Sequence, residues 1–135
     1  MFLTTIAAPS LPQLAVAELL ESGGYDRHLK RLRTAFANQV KEMRQAIARY
    51  FPERTRITRP DGGYLLWVEL PEAIDAVELY RRAGTANIGI LPGVIFSASG
   101  LFRHHIRVSC GYPMSESLDR AVRALGRICR TMLDR

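Results

Sequence analysis

Ile106-Arg107-Val108-Ser109-Cys110-Gly111 is a short stretch with the composition of a β-strand and an arginine in its interior. Side chains alternate between the two faces of a strand, so Ile106, Val108 and Cys110 share one face and Arg107 lies on the other. The pattern predicts a strand with one core face and one open face. The open-face arginine either points into bulk water, as most surface arginines do, or lines a cleft where its fork of donors suits a carboxylate.

The composition is that of an ordinary globular domain. The chain has 135 residues, of which 47% are hydrophobic and 24% are charged, and this is enough for one domain with its own core. Only Lys30 and Lys41 among its 19 basic residues are lysines, and the net charge is +6. The two cysteines, Cys110 and Cys129, occupy apolar positions, which indicates reduced and buried thiols.

Several classes of protein are disfavoured by the sequence. It has no metal-ligand spacing, no signal peptide and no apolar run of membrane-spanning length, so we expect a cytoplasmic protein without a metal or a membrane. A basic chain can bind nucleic acid, but here the arginines are spread along predicted helix faces without the aromatic run of an RNA-binding motif. A free-standing basic α+β module that binds nucleic acid stays open as an alternative.

Two helices begin the predicted fold. Ser10 followed by Pro12 is typical of a helix start, and the first helix extends to about Ser22 before Gly23 breaks it. Its apolar residues cover more than one face, so it needs more cover than an amphipathic surface helix does. The second helix, residues 26–50, has a single apolar stripe and is long enough to connect two bodies.

The rest of the chain alternates between short strands and helices. Strands are predicted at 57–59, 64–70, 88–91 and in the arginine stretch, and helices begin after the N-caps Asp75 and Ser115. Both faces of 64–70 are mostly apolar, which indicates a central strand, and Trp67 is assigned to the core. The order α-α-β-β-α-β-β-α predicts an α+β fold, in which helices cover one face of a small, largely antiparallel sheet and a long connecting helix precedes it.

Three short motifs follow one another between residues 59 and 108. They are Arg59-Pro60-Asp61-Gly62-Gly63-Tyr64-Leu65-Leu66-Trp67-Val68, then Ile90-Leu91-Pro92-Gly93 with Phe96, then Ile106-Arg107-Val108. Together they resemble the C-terminal part of fold type I pyridoxal-phosphate aminotransferases. Within that superfamily, residues 11–18, 22–29 and 96–100 are most similar to the MocR-type regulators of the GntR family, which join a winged helix-turn-helix DNA-binding domain to an aminotransferase-like body.

The resemblance implies a domain division and a site. Residues 24–135 would be the small C-terminal domain, which closes over pyridoxal 5'-phosphate held by a larger domain. Residues 1–23 would form a lead-in helix that belongs to that missing large domain or packs on it. Arg107 would bind the α-carboxylate of an amino-acid substrate or effector. The parent protein would be a homodimer, and it would contact DNA only through a winged-helix domain outside this chain.

The two lysines depart from the family pattern. The Schiff-base lysine of the family lies in a Ser/Thr-x-Ser-Lys segment, and neither Lys30 nor Lys41 has that context. We therefore expect no catalytic and no cofactor-binding residue in this chain, no turnover by the chain alone, and a fragment of a longer parent. The favoured interpretation is the effector-binding body of a GntR/MocR transcriptional regulator. The alternative is the small domain of a dedicated amino-acid aminotransferase.

Overall fold

The computed structural model describes residues 10–134. These residues form four α-helices and four strands in the predicted order, with a short 3-10 helix before the last strand. The elements are α1 Ser10–Glu21, α2 Gly24–Tyr50, β1 Arg56–Ile57, β2 Leu65–Glu69, α3 Ala76–Thr85, β3 Leu91–Pro92, the 3-10 helix Gly93–Phe96, β4 His105–Ser109 and α4 Glu116–Leu133. The predicted α+β class is confirmed.

The described chain divides into two compact units, residues 10–34 and 35–134. The boundary between them lies inside α2, whereas the predicted domain boundary at residues 23 and 24 is the joint between α1 and α2. Gly23 makes this joint, because its φ of +67° suits the left-handed residue that ends a helix. The first nine residues of the predicted lead-in segment lie outside the described residues.

The first unit contains α1, which has no buried residue. Its apolar side chains are exposed, with Leu11 at 80%, Leu14 at 67% and Leu20 at 54%. Its sequence predicts that several of its faces are buried, but in the structure its apolar side chains are exposed.

The second unit is built on one antiparallel sheet with the strand order β1-β2-β4-β3. Strand β2 lies between two neighbours, as predicted for residues 64–70, and pairs with β4 in a register that places Leu66 opposite Val108. Strand β3 is shorter than the prediction of residues 88–91. The chain leaves α3 through a turn in which Ile88 donates its N–H to the carbonyl of Ala83, so it joins the sheet only from Leu91.

The core lies between one face of this sheet and three helices. The largest fully buried side chains come from inner positions of β2 and β4, from the facing stripes of α2, α3 and α4, and from positions just before α3 and just after β4. They are Met43, Ile47, Leu66, Val68, Ile74, Leu79, Ile106, Cys110 and Cys129. Both cysteines are free and buried, as predicted. Burial raises the pKa of Cys110 to about 11 and that of Cys129 to about 12, so both thiols are protonated at neutral pH.

No helix within residues 10–134 combines the length and the apolar character that a membrane crossing requires. Over the same part of the chain, no three His, Cys, Asp or Glu side chains are grouped so that they could hold a metal ion.

Helix α4 packs directly on the end of α2. The hydroxyl of Tyr50 donates to Asp119 at 3.1 Å, and Arg123 donates to the same hydroxyl at 3.1 Å. A Cβ atom at Gly126 would lie 2.2 Å from the backbone oxygen of Tyr50, so only glycine allows this approach.

Gly126→Ala should therefore destabilise the chain. Backbone must move to accept the methyl group, and overpacking of this kind costs about 1–3 kcal/mol, more than the gain in helix propensity. Gly84→Ala is the matched control, because a Cβ atom there meets nothing within 4 Å, and it should be neutral or stabilising by up to about 1 kcal/mol. Urea unfolding measures both variants. Equal stability of the two would contradict the close approach.

Asp75 is the N-cap of α3, and Ser115 is the N-cap of α4, as predicted. The carboxylate of Asp75 accepts from the N–H groups of Val77 at 2.9 Å and Glu78 at 3.0 Å. Burial alone would raise the pKa of Asp75, but these two hydrogen bonds and the guanidinium of Arg103 outweigh it and lower the pKa below its ordinary value of 3.8.

The cap should give α3 a measurable acid sensitivity. A carboxylate with a lowered pKa contributes stability that is fully present above pH 3.8 and is lost as the pH falls through the lower folded-state value. Asp75→Asn keeps a capping oxygen and removes the titration, so its free energy of unfolding should fall less than that of wild type below pH 3.8. Asp75→Ala should lose about 0.5–2 kcal/mol at neutral pH. Chemical unfolding at each pH gives the free energy of unfolding of each variant. If this energy falls with pH equally in wild type and Asp75→Asn, the carboxylate charge contributes nothing to stability.

Candidate carboxylate-binding site

Arg107 lies on the sheet face that the helices do not cover. Its neighbours Ile106 and Cys110 are buried in the core, and Val108 packs against the core from the same side. The β2–β4 register places Trp67 opposite Arg107, and the β3–β4 register places Leu91 opposite it. The alternation predicted from the sequence is therefore present, with Arg107 on the outer face.

The guanidinium of Arg107 has no polar partner within the described part of the chain. None of residues 10–134 forms a hydrogen bond or an ion pair with it, and its Cζ atom lies over the ring of Phe96, 4.5 Å from the ring centroid. A guanidinium carries five N–H donors in one plane and cannot be deprotonated in a protein. A half-buried, permanently charged group with its donors free can accept a planar anion such as a carboxylate.

Six of the twelve other arginines in residues 35–134 have acidic partners. The other six do not, and among these only Arg44 is half-buried as Arg107 is. Arg56 on β1 contacts Glu69 at 3.2 Å, opposite it in the sheet. Arg82 contacts Glu78 at 2.8 Å within α3. The charges of these paired arginines are thus partly neutralised, whereas the charge of the half-buried Arg107 is not.

Four rings, Trp67, Phe96, Phe102 and His105, form an aromatic cluster, and one of them, Phe96, contacts Arg107. The Trp67 ring meets Phe96 edge-on at 5.6 Å and Phe102 edge-on at 5.3 Å, and it lies 5.6 Å from the His105 ring. The assignment of Trp67 to the core is wrong. Since both faces of β2 are apolar in sequence, the alternation does not say which face is buried, and the helices cover the face of Leu66 and Val68 instead.

The cluster is held by tight backbone packing at the 3-10 helix. A Cβ atom at Gly93 would lie 2.5 Å from the carbonyl oxygen of Phe102 and 2.9 Å from the Cβ of His105, so the turn sits directly against the start of β4. Phe102 itself has a φ of +65°, in the left-handed region. Phe96 belongs to a motif that carries the resemblance, but Phe102 lies in a loop without periodicity, where the sequence offers no signal.

His105 is the member of the cluster at the start of β4. Its Nδ1 atom is buried and has no hydrogen-bond partner within residues 10–134. Burial lowers the pKa of the imidazole below its ordinary value of 6.5. The negative charge of Glu69 raises this pKa, but by less than burial lowers it, and the nearby His104 adds a smaller lowering effect. The ring is therefore neutral at pH 7, so Arg107 carries the positive charge on this part of the face.

Two cavities lie near the sheet, and Arg107 lines neither. A cavity of about 180 Å³ is lined by Arg56, Ile57, Thr58, Trp67, Glu69 and His105. Another of about 890 Å³ lies between the loop after α2 and the end of β2, lined in part by Glu53, Arg54 and Glu72. A ligand bound by Arg107 would therefore lie outside both of these cavities.

The chain belongs to the aminotransferase class I and II family, whose model matches residues 2–125. Its relatives include helix-turn-helix regulators and enzymes. It is 40% identical to the HTH-type transcriptional regulator YjiR of Escherichia coli, over 84% of this chain and 24% of that protein. It is 37% identical to the HTH-type transcriptional regulator YdcR of the same organism, over 97% of this chain and 28% of that protein. The predicted resemblance to aminotransferase-like regulators is confirmed.

The same family contains enzymes similar to this chain. The 2-aminoadipate transaminase of Thermus thermophilus is 36% identical over 93% of this chain and 31% of that protein. The crystal structure of LysN, the α-aminoadipate aminotransferase from Thermus thermophilus complexed with N-(5'-phosphopyridoxyl)-L-leucine, superposes with a TM-score of 0.81 over 93% of this chain and 32% of that one. The chain thus spans about a quarter to a third of the length of these relatives.

The described residues do not fit the cofactor that this family implies. A lysine that anchors pyridoxal phosphate needs a desolvated pocket, and Lys30 and Lys41 are both exposed on α2. We therefore assign no cofactor chemistry to the described residues of this chain. The group that does fit a ligand is the guanidinium of Arg107.

The lowered pKa of His105 should make the free energy of unfolding depend on pH, and one substitution can isolate this contribution. A histidine with a folded-state pKa below 6.5 is harder to protonate in the folded chain than in the unfolded one, so stability falls as the pH drops through 6.5 towards the folded-state value. His105→Gln removes this contribution, and its free energy of unfolding should fall less than that of wild type between pH 7 and pH 5. Chemical unfolding at each pH measures the difference, and an NMR titration of the imidazole gives the pKa directly. Titration of His105 above pH 6.5 would show that attraction to Glu69 exceeds the cost of burial.

Proposed function

We propose that this chain is the small C-terminal domain of a pyridoxal-phosphate-dependent parent protein, in which Arg107 binds the α-carboxylate of an amino-acid ligand. The observation that carries the proposal is the unpaired guanidinium of Arg107, half-buried on the uncovered face of β4. Membership of the aminotransferase family supports it, because members of this family act on amino acids.

The geometry of the group suits this ligand. A carboxylate has two oxygens in a plane, and a guanidinium can donate to both at once through parallel N–H bonds. The carboxylate–guanidinium pair is strongest where water is excluded. The ring of Phe96, which packs on Trp67, already shields part of the guanidinium from water. Closure of a larger domain over this face would complete the exclusion of water and hold the ligand in one orientation.

The larger domain would also hold the cofactor. The relatives are three to four times longer than this chain, and the described lysines lie exposed, which supports a parent whose cofactor anchor lies outside these residues. Residues 1–23 would belong to that larger domain or pack on it, since the apolar side chains of α1 are exposed in the structure. We also propose a homodimeric parent, as the resemblance to fold type I aminotransferases implies.

The parent is proposed to be a cytoplasmic GntR/MocR transcriptional regulator, with this domain as part of its effector-binding body. The identities of 40% and 37% to two HTH-type regulators support this choice. In such a parent, DNA is contacted by a winged-helix domain outside this chain. A dedicated amino-acid aminotransferase is the second candidate, favoured by the 36% identity to a 2-aminoadipate transaminase. A free-standing nucleic-acid module finds less support, because Arg82, Arg120 and Arg123 on the helices are paired with acidic residues one turn away.

The proposal can be tested on the parent protein without knowing its natural ligand. N-(5'-phosphopyridoxyl)-L-leucine and its decarboxylated counterpart, N-(5'-phosphopyridoxyl)-3-methylbutylamine, differ only in the carboxylate. Arg107→Ala should weaken binding of the first compound roughly thirty- to several-thousand-fold, since truncating one half of a desolvated charge pair costs about 2–5 kcal/mol. Its Kd for the second compound should be unchanged. Arg107→Lys should recover part of the loss, because an ammonium restores the charge but not the fork.

Arg120→Ala is the matched control for the loss of an arginine. Arg120 is exposed on α4 and pairs with Glu116 on the same helix, so its removal should change neither Kd. Titration calorimetry gives the Kd values, and a thermal melt reports on folding. A steep drop in the melting temperature of Arg107→Ala with an unchanged Kd for the carboxylated compound would make Arg107 structural. Failure of the wild-type parent to bind either compound would refute the cofactor-dependent parent.

A further inference from the structure

The least expected feature of the site is the ring under the arginine. Phe96 is 41% exposed, although it is a large apolar residue. Its ring lies under the Cζ atom of Arg107 at 4.5 Å, and this contact is within the range in which a cation is attracted to the face of an aromatic ring. The guanidinium has no other described partner, so this ring is what holds it in place.

The cation–π contact and a carboxylate contact use different parts of the guanidinium. A guanidinium that stacks on an aromatic ring turns one face of its plane to the ring, and its N–H donors point outward in that plane. Phe96 can therefore restrain Arg107 and leave its donors free for an anion. An acidic partner in the same place would occupy those donors and compete with the ligand.

The ring itself is fixed from below. Phe96 meets Trp67 edge-on at 5.6 Å, with the two ring planes 70° apart, and Trp67 is in turn supported by Phe102. The turn that carries Phe96 is tied at its end, where Ser97 donates its N–H to the carbonyl of Val94 at 3.2 Å. Trp67 on the sheet thus supports the ring of Phe96, and that ring contacts the guanidinium of Arg107.

From these contacts we infer that Phe96 is a positioning residue, which holds the guanidinium of Arg107 over its ring with the donors open for the ligand carboxylate. The inference rests on the proposed function, because it assumes that Arg107 binds that carboxylate. Long side chains lose rotational freedom when they bind, and a guanidinium already restrained by a ring loses less. Phe96 therefore raises affinity for the carboxylate without contacting the ligand.

The test uses the parent protein and the same two compounds. Phe96→Leu keeps an apolar side chain and removes the π face, so binding of N-(5'-phosphopyridoxyl)-L-leucine should weaken roughly two- to thirty-fold, the range expected from a cation–π contact. Its Kd for the decarboxylated compound should not change. Phe96→Tyr restores an aromatic face and should bind the carboxylated compound within about twofold of wild type. Ile95→Ala, at the exposed neighbouring position, is the control and should leave both Kd values unchanged.

A double-mutant cycle separates positioning from direct contact. In the Arg107→Ala background, Phe96→Leu should alter the Kd of the carboxylated compound by less than about twofold, because there is no guanidinium left to position. If Phe96→Leu weakens both compounds equally, Phe96 acts on the rest of the ligand and the inference is wrong. If Arg107→Ala weakens binding and Phe96→Leu does not, the inference fails while the proposed function stands. If Arg107→Ala itself has no effect, the proposed function fails.

Discussion

The antiparallel pairing of β2 with β4 is the constraint on which the rest of this structure depends. Its register sets Leu66 against Val108 and Trp67 against Arg107, so one face of both strands meets the helices and the other does not. A slip of one residue would exchange the faces, burying a guanidinium and exposing the core. The cost of burying an unpaired charge makes such a slip strongly unfavourable, so Arg107 helps to specify the register.

Much of the fold could be predicted from local patterns. The alternation around Arg107 indicates its face, and the cap residues Asp75 and Ser115 indicate the starts of two helices, because a single side chain satisfies the orphan N–H groups there. The strand prediction for residues 88–90 is wrong. Their composition suits a strand, but the N–H of Ile88 is already used at the end of α3.

The candidate site could be predicted only in part. The position of Arg107 follows from the strand period, but the environment of its guanidinium comes from Phe96 and Trp67, which meet only through the tertiary fold. A strand with two apolar faces, such as β2, does not reveal which one the helices cover. Phe102 lies in a loop whose sequence has no hydrophobic periodicity, so no local pattern could place it in the cluster.

The most direct test of the central claim is a crystal structure of the parent protein bound to N-(5'-phosphopyridoxyl)-L-leucine. We expect the two oxygens of the leucine carboxylate each to accept a hydrogen bond of about 2.7–2.9 Å from the guanidinium of Arg107, with the ring of Phe96 still beneath it. A carboxylate held by another residue, with Arg107 directed into solvent, would contradict this claim.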